Sequence, residues 1–281
     1  MLVFPPVRIA SLSLLVALLG VATACEKTKT DEPSPSTTTL AENGSDSADL
    51  ESHVSALVAS LTLSTPATAF DQPARAVQWA RATNNFFLPG DCLVTEINGT
   101  TVTHQFNGCA GPWGLLRLRG KVTVTYSTTV IGTQQALVLD ITGDALSIQK
   151  ATADFHAKAT VSADGANRLM GYEAQLSGRT MRDREVSRTV AWQLGWRLGE
   201  QCLRFDGTAE GTVDGSGIKT TVDNYQRCRG ACPSAGGIIQ IERTAGAKEK
   251  LRIEFNGGQS ATVKGTNVRE TDIKLACGLG G

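Results

Sequence analysis

Residues 116–126 read Leu-Arg-Leu-Arg-Gly-Lys-Val-Thr-Val-Thr-Tyr, and this stretch decides the class of fold. Its apolar side chains fall on one parity, and its basic and hydroxyl side chains fall on the other. Successive side chains of a β-strand point to opposite faces, so the stretch predicts a strand that is buried on one face only. Arg117, Arg119 and Lys121 would then form a basic stripe on its outer face.

The same alternation recurs along most of the chain. Comparable runs lie at residues 136–141, 155–161, 190–198, 238–243, 251–255 and 271–275. Turn signals such as Asn98-Gly99, Asp164-Gly165 and Asp214-Gly215 separate them. We therefore predict a mainly β domain over residues 91–281, built as an antiparallel sheet in a sandwich, an open barrel or a wrapped sheet.

Two segments before the sheet have a different pattern. Between residues 50 and 90 apolar residues recur at helical spacings of three and four, and Pro73 suits the first turn of a helix. We expect one or two short helices packed on the sheet. The buried candidates of these helices are Val54, Leu57, Val58, Leu61, Ala76, Val77, Trp79 and Ala80. Residues 25–49 are mostly Thr, Ser, Pro, Asp and Glu, and we expect them to be a disordered tether with a reach of ~25–30 Å.

The β region contains an apparent internal duplication, in halves of about 92–190 and 202–281. Cys92-Leu93 recurs as Cys202-Leu203, and Thr100-Thr101-Val102 recurs as Thr220-Thr221-Val222. A cysteine ends each stretch, and residues 137–143 later resemble residues 251–257. Equivalent cysteines should form equivalent bonds, which favours the disulfides Cys92–Cys109, Cys202–Cys228 and Cys232–Cys277. A local Cys228–Cys232 bond stays open as a rival, because six cysteines allow 15 connectivities.

The sequence contains no catalytic signature that we can identify. The three histidines, His53, His104 and His156, lie far apart, and Asp214-Gly215-Ser216-Gly217 is a turn and not a nucleophile elbow. Only Cys228 and Cys232 approach the spacing of a zinc knuckle, and no second cysteine pair would complete such a site. We therefore predict no catalytic residue, no metal and no cofactor.

The candidate ligand-binding residues are Trp192, Trp196, Arg117 and Arg119. Both tryptophans fall on one face of one strand, where they could form an exposed platform for a sugar ring or an acyl chain, or could pack in the core. The basic stripe could meet anionic lipid or polysaccharide, or could be a solvated face. A second basic cluster, with the same two interpretations, consists of Arg179, Arg182, Arg184 and Arg188.

The overall charge narrows the possible partners. The chain has 27 basic and 27 acidic residues, and the part that starts at Cys25 carries a formal charge of −1. A general nucleic-acid binder usually has a strong basic excess, so we expect no nucleic-acid partner.

The segment before Cys25 predicts export. Arg8 precedes an apolar run from Ile9 to Ala22, which has the length of a signal-peptide core and is too short to span a bilayer. We assign residues 1–24 to a signal peptide that ends Ala22-Thr23-Ala24. An ordinary secretory cleavage and a lipoprotein cleavage would both cut before Cys25. The odd count of seven cysteines favours the lipoprotein cleavage, since it removes one thiol from disulfide pairing.

These residues resemble the N-terminal region of bacterial envelope lipoproteins, although Ala22 stands where that family usually has Leu. The resemblance implies a palmitate-type lipid on Cys25 and, with Glu26 as the next residue, sorting to the outer membrane. It implies no activity. We expect a membrane-tethered protein with a structural or interaction role, whose partners could be envelope glycan, lipid or protein. The alternatives are a glycan- or lipid-binding module that uses the aromatic strand face and, less favoured, a hydrolase.

Overall fold

In the described part of the chain, thirteen strands form one antiparallel sheet, in which each strand pairs with its neighbours in the chain. The computed structural model describes residues 35–200, 202–228, 232–246, 249–265 and 268–279. The strands are β1 (Leu93–Asn98), β2 (Thr101–Cys109), β3 (Leu118–Ile131), β4 (Gln134–Ile148), β5 (Ala151–Asp164), β6 (Asn167–Arg179), β7 (Glu185–Arg197), β8 (Leu203–Val213), β9 (Ser216–Arg227), β10 (Ile238–Arg243), β11 (Lys250–Phe255), β12 (Ser260–Gly265) and β13 (Val268–Lys274). The sheet is open, since β1 and β13 each pair with one strand. The predicted fold class is confirmed.

The sheet buries one face, as the alternation predicts. In β5, Ala153, Phe155 and Ala157 are buried, and the residues between them are exposed. The alternation holds at the start of β3, where Leu118 and Val122 are buried, although a bulge at Gly120 shifts the register with β4. A side chain at Gly120 would collide with the backbone of Ala145, and the φ angle of 110° suits glycine. Arg119 and Lys121 are exposed on the outer face as predicted, whereas Arg117 precedes the strand.

Helix α1 (Pro35–Ser60) lies against the inner face of the sheet, where it contacts β5 to β11 and β13. Almost every described side chain of the helix is buried, whether it is apolar or polar. Small residues of α1 allow the helix backbone to lie close to the sheet. At Gly44 even a methyl group would overlap the side chain of Ile241 in β10.

The prediction of a disordered tether is wrong for residues 35–49, which form the first half of α1. The prediction assumed that a segment with few apolar residues has nothing to bury. The polar side chains of this segment instead have partners far along the chain, in the turn before β7 and at the end of β9. Residues 25–34, like the predicted signal peptide, lie outside the described residues.

Helix α2 (Pro73–Trp79) starts at the predicted proline and continues as a 3₁₀ segment over Ala80–Phe86. Ala76, Val77 and Ala80 are buried as predicted, whereas Trp79 is exposed. The remaining 3₁₀ turns span Ala67–Ala69, Pro112–Gly114 and Ala276–Leu279.

Three disulfides link Cys92–Cys109, Cys202–Cys228 and Cys232–Cys277. This is the pairing that the duplication favours, and the rival Cys228–Cys232 bond is excluded. The first bond joins the ends of the β1–β2 hairpin, and the second joins those of β8–β9. The third bond ties the segment before β10 to the residue that follows β13 by three positions.

The duplicated stretches occupy equivalent places in the strand order. The first cysteine pair belongs to β1 and β2, and its counterpart belongs to β8 and β9. Residues 137–143 lie in β4, and residues 251–257 begin in β11. Each repeated feature thus recurs seven strands later. The two halves are not separate domains, because a continuous ladder from β7 to β8 joins them.

Candidate functional site

The most distinctive site is a set of arginines, from β7, β9 and the turn before β7, that face acidic residues of α1; we call it the α1 clamp. Its arginines are Arg182, Arg184, Arg188 and Arg227, and its carboxylates are Glu42, Asp46, Asp49 and Glu51. The N–O distances are 2.9 Å for Arg182–Asp46, 2.5 Å for Arg184–Glu42, 2.9 Å for Arg188–Glu51 and 2.9 Å for Arg227–Asp49. Both side chains of the Arg188–Glu51 pair are fully buried.

Arg227, the last residue of β9, has the largest number of partners in the clamp. Its Nη1 donates to Asp49 Oδ1 at 2.9 Å and to Ser52 Oγ at 2.7 Å. Its Nε donates to the carbonyl oxygen of Trp113 at 3.0 Å, and its Nη2 lies 2.5 Å from His53 Nε2. One buried guanidinium thus connects α1, β9 and the turn between β2 and β3.

These contacts define the protonation of His53. Its Nδ1 lies 2.8 Å from the carbonyl oxygen of Asp49, which can only accept, so Nδ1 carries the proton. Nε2 must then be bare to accept from Arg227. Burial and, secondarily, the charge of Arg227 lower the pKa of His53 to about 4. The ring is therefore neutral at pH 7.

Burial shifts the pKa of the clamp carboxylates upward, whereas it shifts the pKa of His53 downward. Burial raises the pKa of Asp46 from its ordinary value near 3.8 to about 6, even though Arg182 and Arg184 act against the shift. Burial also raises the pKa of Glu51, and Arg188 opposes that shift. The clamp therefore holds ionisable groups whose charged forms are costly in the interior.

The ion pairs of the clamp attach α1 to the rest of the domain. Asp49, Ser52 and His53 are residue types found in hydrolytic triads, but all three are buried and the hydroxyl of Ser52 donates to the carbonyl oxygen of Asp49. A substrate would have no access to them. Sequence reasoning missed the clamp, although one signal was present. Glu42, Asp46 and Asp49 recur at helical spacings inside the segment predicted to be disordered, and His53 continues this spacing into the predicted helix.

The two candidate tryptophans are buried, so the exposed platform is wrong and core packing is correct. The Trp192 ring contacts Phe205 edge to face, with 5.3 Å between ring centroids, and the Trp196 ring contacts Trp113 at 6.0 Å. Neither indole N–H donates to a group among the described residues. Their strand face is the inner face of the sheet.

The two basic groups differ from each other. Arg117 and Arg119 are exposed and form no ion pair within the described part of the chain, while Lys121 pairs with Asp144 at 3.2 Å. In the second cluster, three of the four arginines turn inward to the clamp. Arg179 alone stays at the surface, paired with Asp183 at 3.0 Å. Neither a solvated face nor an anionic ligand explains the three inward arginines.

The other two histidines form no catalytic group with the residues that the structure describes. His104 is buried beside Thr95, with 3.1 Å between Nδ1 and Oγ1, and burial lowers its pKa to about 4. His156 Nε2 lies 3.1 Å from Asp140 Oδ1 on the exposed face of the sheet, in an open groove and not in a deep pocket. The described ranges contain no His, Cys, Asp and Glu cluster with metal-binding geometry. They also contain no helix with the length and hydropathy of a membrane span.

Comparison with known proteins gives no relative from which a function could be transferred. No protein-family model, no curated protein and no solved structure matches this chain. The functional argument therefore depends on the residues of this chain alone.

Proposed function

We propose that the protein is a membrane-tethered lipoprotein of the bacterial envelope, acylated on Cys25, with a structural or interaction role. The observation that carries the proposal is the cysteine pairing. Six of the seven cysteines form three disulfides, and Cys25 is the one that remains. An exported protein with one unpaired cysteine has a reactive thiol unless that thiol is modified. Lipid attachment removes it.

The position of α1 determines which part of the domain a force on the lipid anchor would reach first. Nine residues separate Cys25 from Pro35, so this linker spans at most about 35 Å when fully extended. The element that follows is the helix held by the clamp. A pull on the lipid would therefore act first on α1 and then, through the arginines, on the sheet. A short linker and a clamped first element suit a protein that is held near its membrane.

The mass of the mature N-terminal peptide tests this proposal. We expect a peptide that starts at Cys25 and carries acyl chains, and we expect Cys25→Ser to release the protein from the membrane fraction. A matched control, Ser36→Cys, adds a thiol close by and should leave the acylation of Cys25 unchanged. A mature chain in which Cys25 is a free thiol would refute the lipid anchor.

The alternative functions have no supporting site among the residues that the structure describes. A glycan- or lipid-binding module was predicted from Trp192 and Trp196, and both are buried. A hydrolase would need a histidine and a carboxylate in an enclosed pocket, and His156 with Asp140 lies on an open surface. We therefore propose neither.

A further inference from the structure

The hairpin of β3 and β4 projects beyond the strands on either side of it; we call residues 127–136 the β3–β4 tip. The β2–β3 ladder ends at Thr125 of β3, and the β4–β5 ladder begins only at Leu137 of β4. The β3–β4 ladder itself continues to the pair Ile131–Gln134. Within the described part of the chain, the two strands of the tip therefore pair only with each other.

The tip carries two large apolar side chains that the domain does not cover. Val130 is 58% exposed and Ile131 is 52% exposed, and as consecutive residues of a strand they point to opposite faces of the hairpin. Residues 122–139 contain no charged residue and no proline. An exposed strand that is rich in β-branched residues and has neither charge nor proline tends to pair with another strand.

One edge of the tip has main-chain groups that face no strand. The N–H of Tyr126 donates to the carbonyl oxygen of Thr100 at 2.9 Å, so Tyr126 directs its main-chain groups to the β2 side. Alternate residues of a strand direct theirs to the same side, which assigns Thr128 and Val130 to the β2 side as well. The β2–β3 ladder has already ended there, and no other described strand pairs with this edge.

The two terminal edges of the sheet are protected, whereas the edge of the tip is not. Four of the seven residues of β13 are charged, and Arg182 donates to the carbonyl oxygen of Lys274 at the end of that strand. In β1, Glu96 lies within the strand, and the Asn84 side chain donates to the carbonyl oxygen of Leu93 at 2.9 Å. Charges and contacts of this kind discourage pairing with another chain. The uncharged edge of β3 lacks the charges that would do so.

We propose that the β3–β4 tip pairs with the same tip of a second copy of this chain, as an antiparallel extension of the sheet. A lipid layer could not satisfy the free main-chain groups of Thr128 and Val130, whereas a strand can. Pairing of an uncharged segment with itself creates no contact between like charges. The interface is small, but the proposed lipid anchor, on which this inference rests, would concentrate the copies on one membrane.

The end of β2 sets the register of this pairing. Thr100 stands opposite Tyr126, so the second copy must stop short of that pair. A two-fold axis at Val130 uses the whole free edge and places Val130 opposite Val130 of the second copy. The β6–β7 turn, whose arginines hold the first half of α1, lies at the opposite ends of the strands. The tethered end of each copy therefore stays free for the membrane.

Cysteine crosslinking of the acylated protein in phospholipid vesicles tests the pairing, once the mass of the N-terminal peptide has verified the anchor. Opposed residues of antiparallel strands have α-carbons about 4.5–5.5 Å apart, which a disulfide can span. We expect Val130→Cys to form a covalent dimer at least about tenfold faster than Leu169→Cys. Leu169 is the matched control, because it is 52% exposed but lies in β6, which is paired on both sides.

A proline at Thr128 tests the free edge itself. Thr128→Pro removes an N–H that points away from β4, so the β3–β4 ladder should persist. Two intermolecular hydrogen bonds would be lost per dimer, each a factor of about five, so the pairing of the Val130→Cys protein should weaken about 25-fold. Crosslinking should slow accordingly.

Two results would overturn the proposal. Equal crosslinking rates for Val130→Cys and Leu169→Cys in anchored protein would show that the tips do not meet. A fluorescent label on Val130→Cys that reports an apolar environment, in protein that stays monomeric on the vesicles, would assign the tip to lipid. Failure of the anchor itself is distinguishable, because the N-terminal mass is measured first and unacylated protein would not float with the vesicles.

Discussion

At the scale of single residues, Arg227 has more hydrogen-bond partners than any other arginine of the α1 clamp. It is buried and holds Asp49, Ser52, His53 and the backbone of Trp113. Arg227→Leu would leave the Asp49 carboxylate uncompensated in the interior. Removal of one partner from a buried ion pair costs about 3–5 kcal/mol, and we expect that loss in the free energy of unfolding measured with urea.

The matched control is Arg179→Leu, which removes an arginine from a surface ion pair with Asp183. Exposed pairs contribute about 0–1 kcal/mol, so this variant should unfold close to the unmodified protein. Equal losses in the two variants would show that Arg227 does not hold a buried carboxylate.

The sequence predicts some residue roles well and others poorly, for a physical reason. The disulfide partners follow from repeated local patterns around Cys92 and Cys202. The partners of Arg227 do not, because Asp49 lies 178 positions away and no local rule relates the two. Trp192 shows the same limit. Alternation predicts that it shares a face with Trp196, but only the complete sheet shows that this face is the inner one.

At the scale of elements, the sequence predicts the strands, but it predicts only the second half of α1 as a helix. A strand shows its one buried face as a period of two, whatever its neighbours are. Residues 50–61 showed a helical period because they bury aliphatic side chains. Residues 35–49 bury Ser, Asp and Asn, and the apolar pattern that predicts burial is absent there. Their helix is stabilised by the arginines of β7 and β9 and of the turn before β7.

Gly44 tests how closely α1 approaches the sheet. In an exposed helix, Gly→Ala stabilises by up to about 1 kcal/mol. Here the added methyl group would overlap Ile241, and overpacking of this kind costs about 1–3 kcal/mol. We therefore expect Gly44→Ala to lower the free energy of unfolding, as measured with urea.

The same substitution in an Ile241→Ala protein completes this test. Ile241→Ala creates the space that the added methyl group needs, so Gly44→Ala should be neutral or stabilising in the Ile241→Ala protein. The double-mutant cycle should thus show a favourable coupling. If Gly44→Ala has the same effect in both backgrounds, α1 does not pack against β10 as described.

At the scale of the whole molecule, buried groups of opposite type titrate in the same pH range. The pKa of His53 and that of His104 are lowered from 6.5 to about 4, so the unfolded chain binds more protons between these values. Stability from both histidines is lost as the pH falls through this window. Asp46, with its pKa raised from 3.8 to about 6, acts in the reverse sense, because the folded protein binds the extra proton.

Variants should separate the effect of the two histidines on stability from the opposite effect of Asp46. We expect His53→Gln with His104→Gln to become more stable, relative to the unmodified protein, as the pH falls from 6.5 to 4. Asp46→Asn should lose stability more steeply over the same range. Urea unfolding at several pH values measures both. Parallel pH profiles for all three proteins would contradict the burial of these groups.

The central claim is that α1 (Pro35–Ser60) is a helix buried against the inner face of the sheet, and native-state hydrogen–deuterium exchange tests it most directly. Amides that open only with global unfolding exchange at a rate set by the full stability of the domain. We predict that the amides of residues 40–58 are protected as strongly as those in the middle of β6 and β7. Exchange of residues 37–49 at the rate of an unstructured chain would contradict the account.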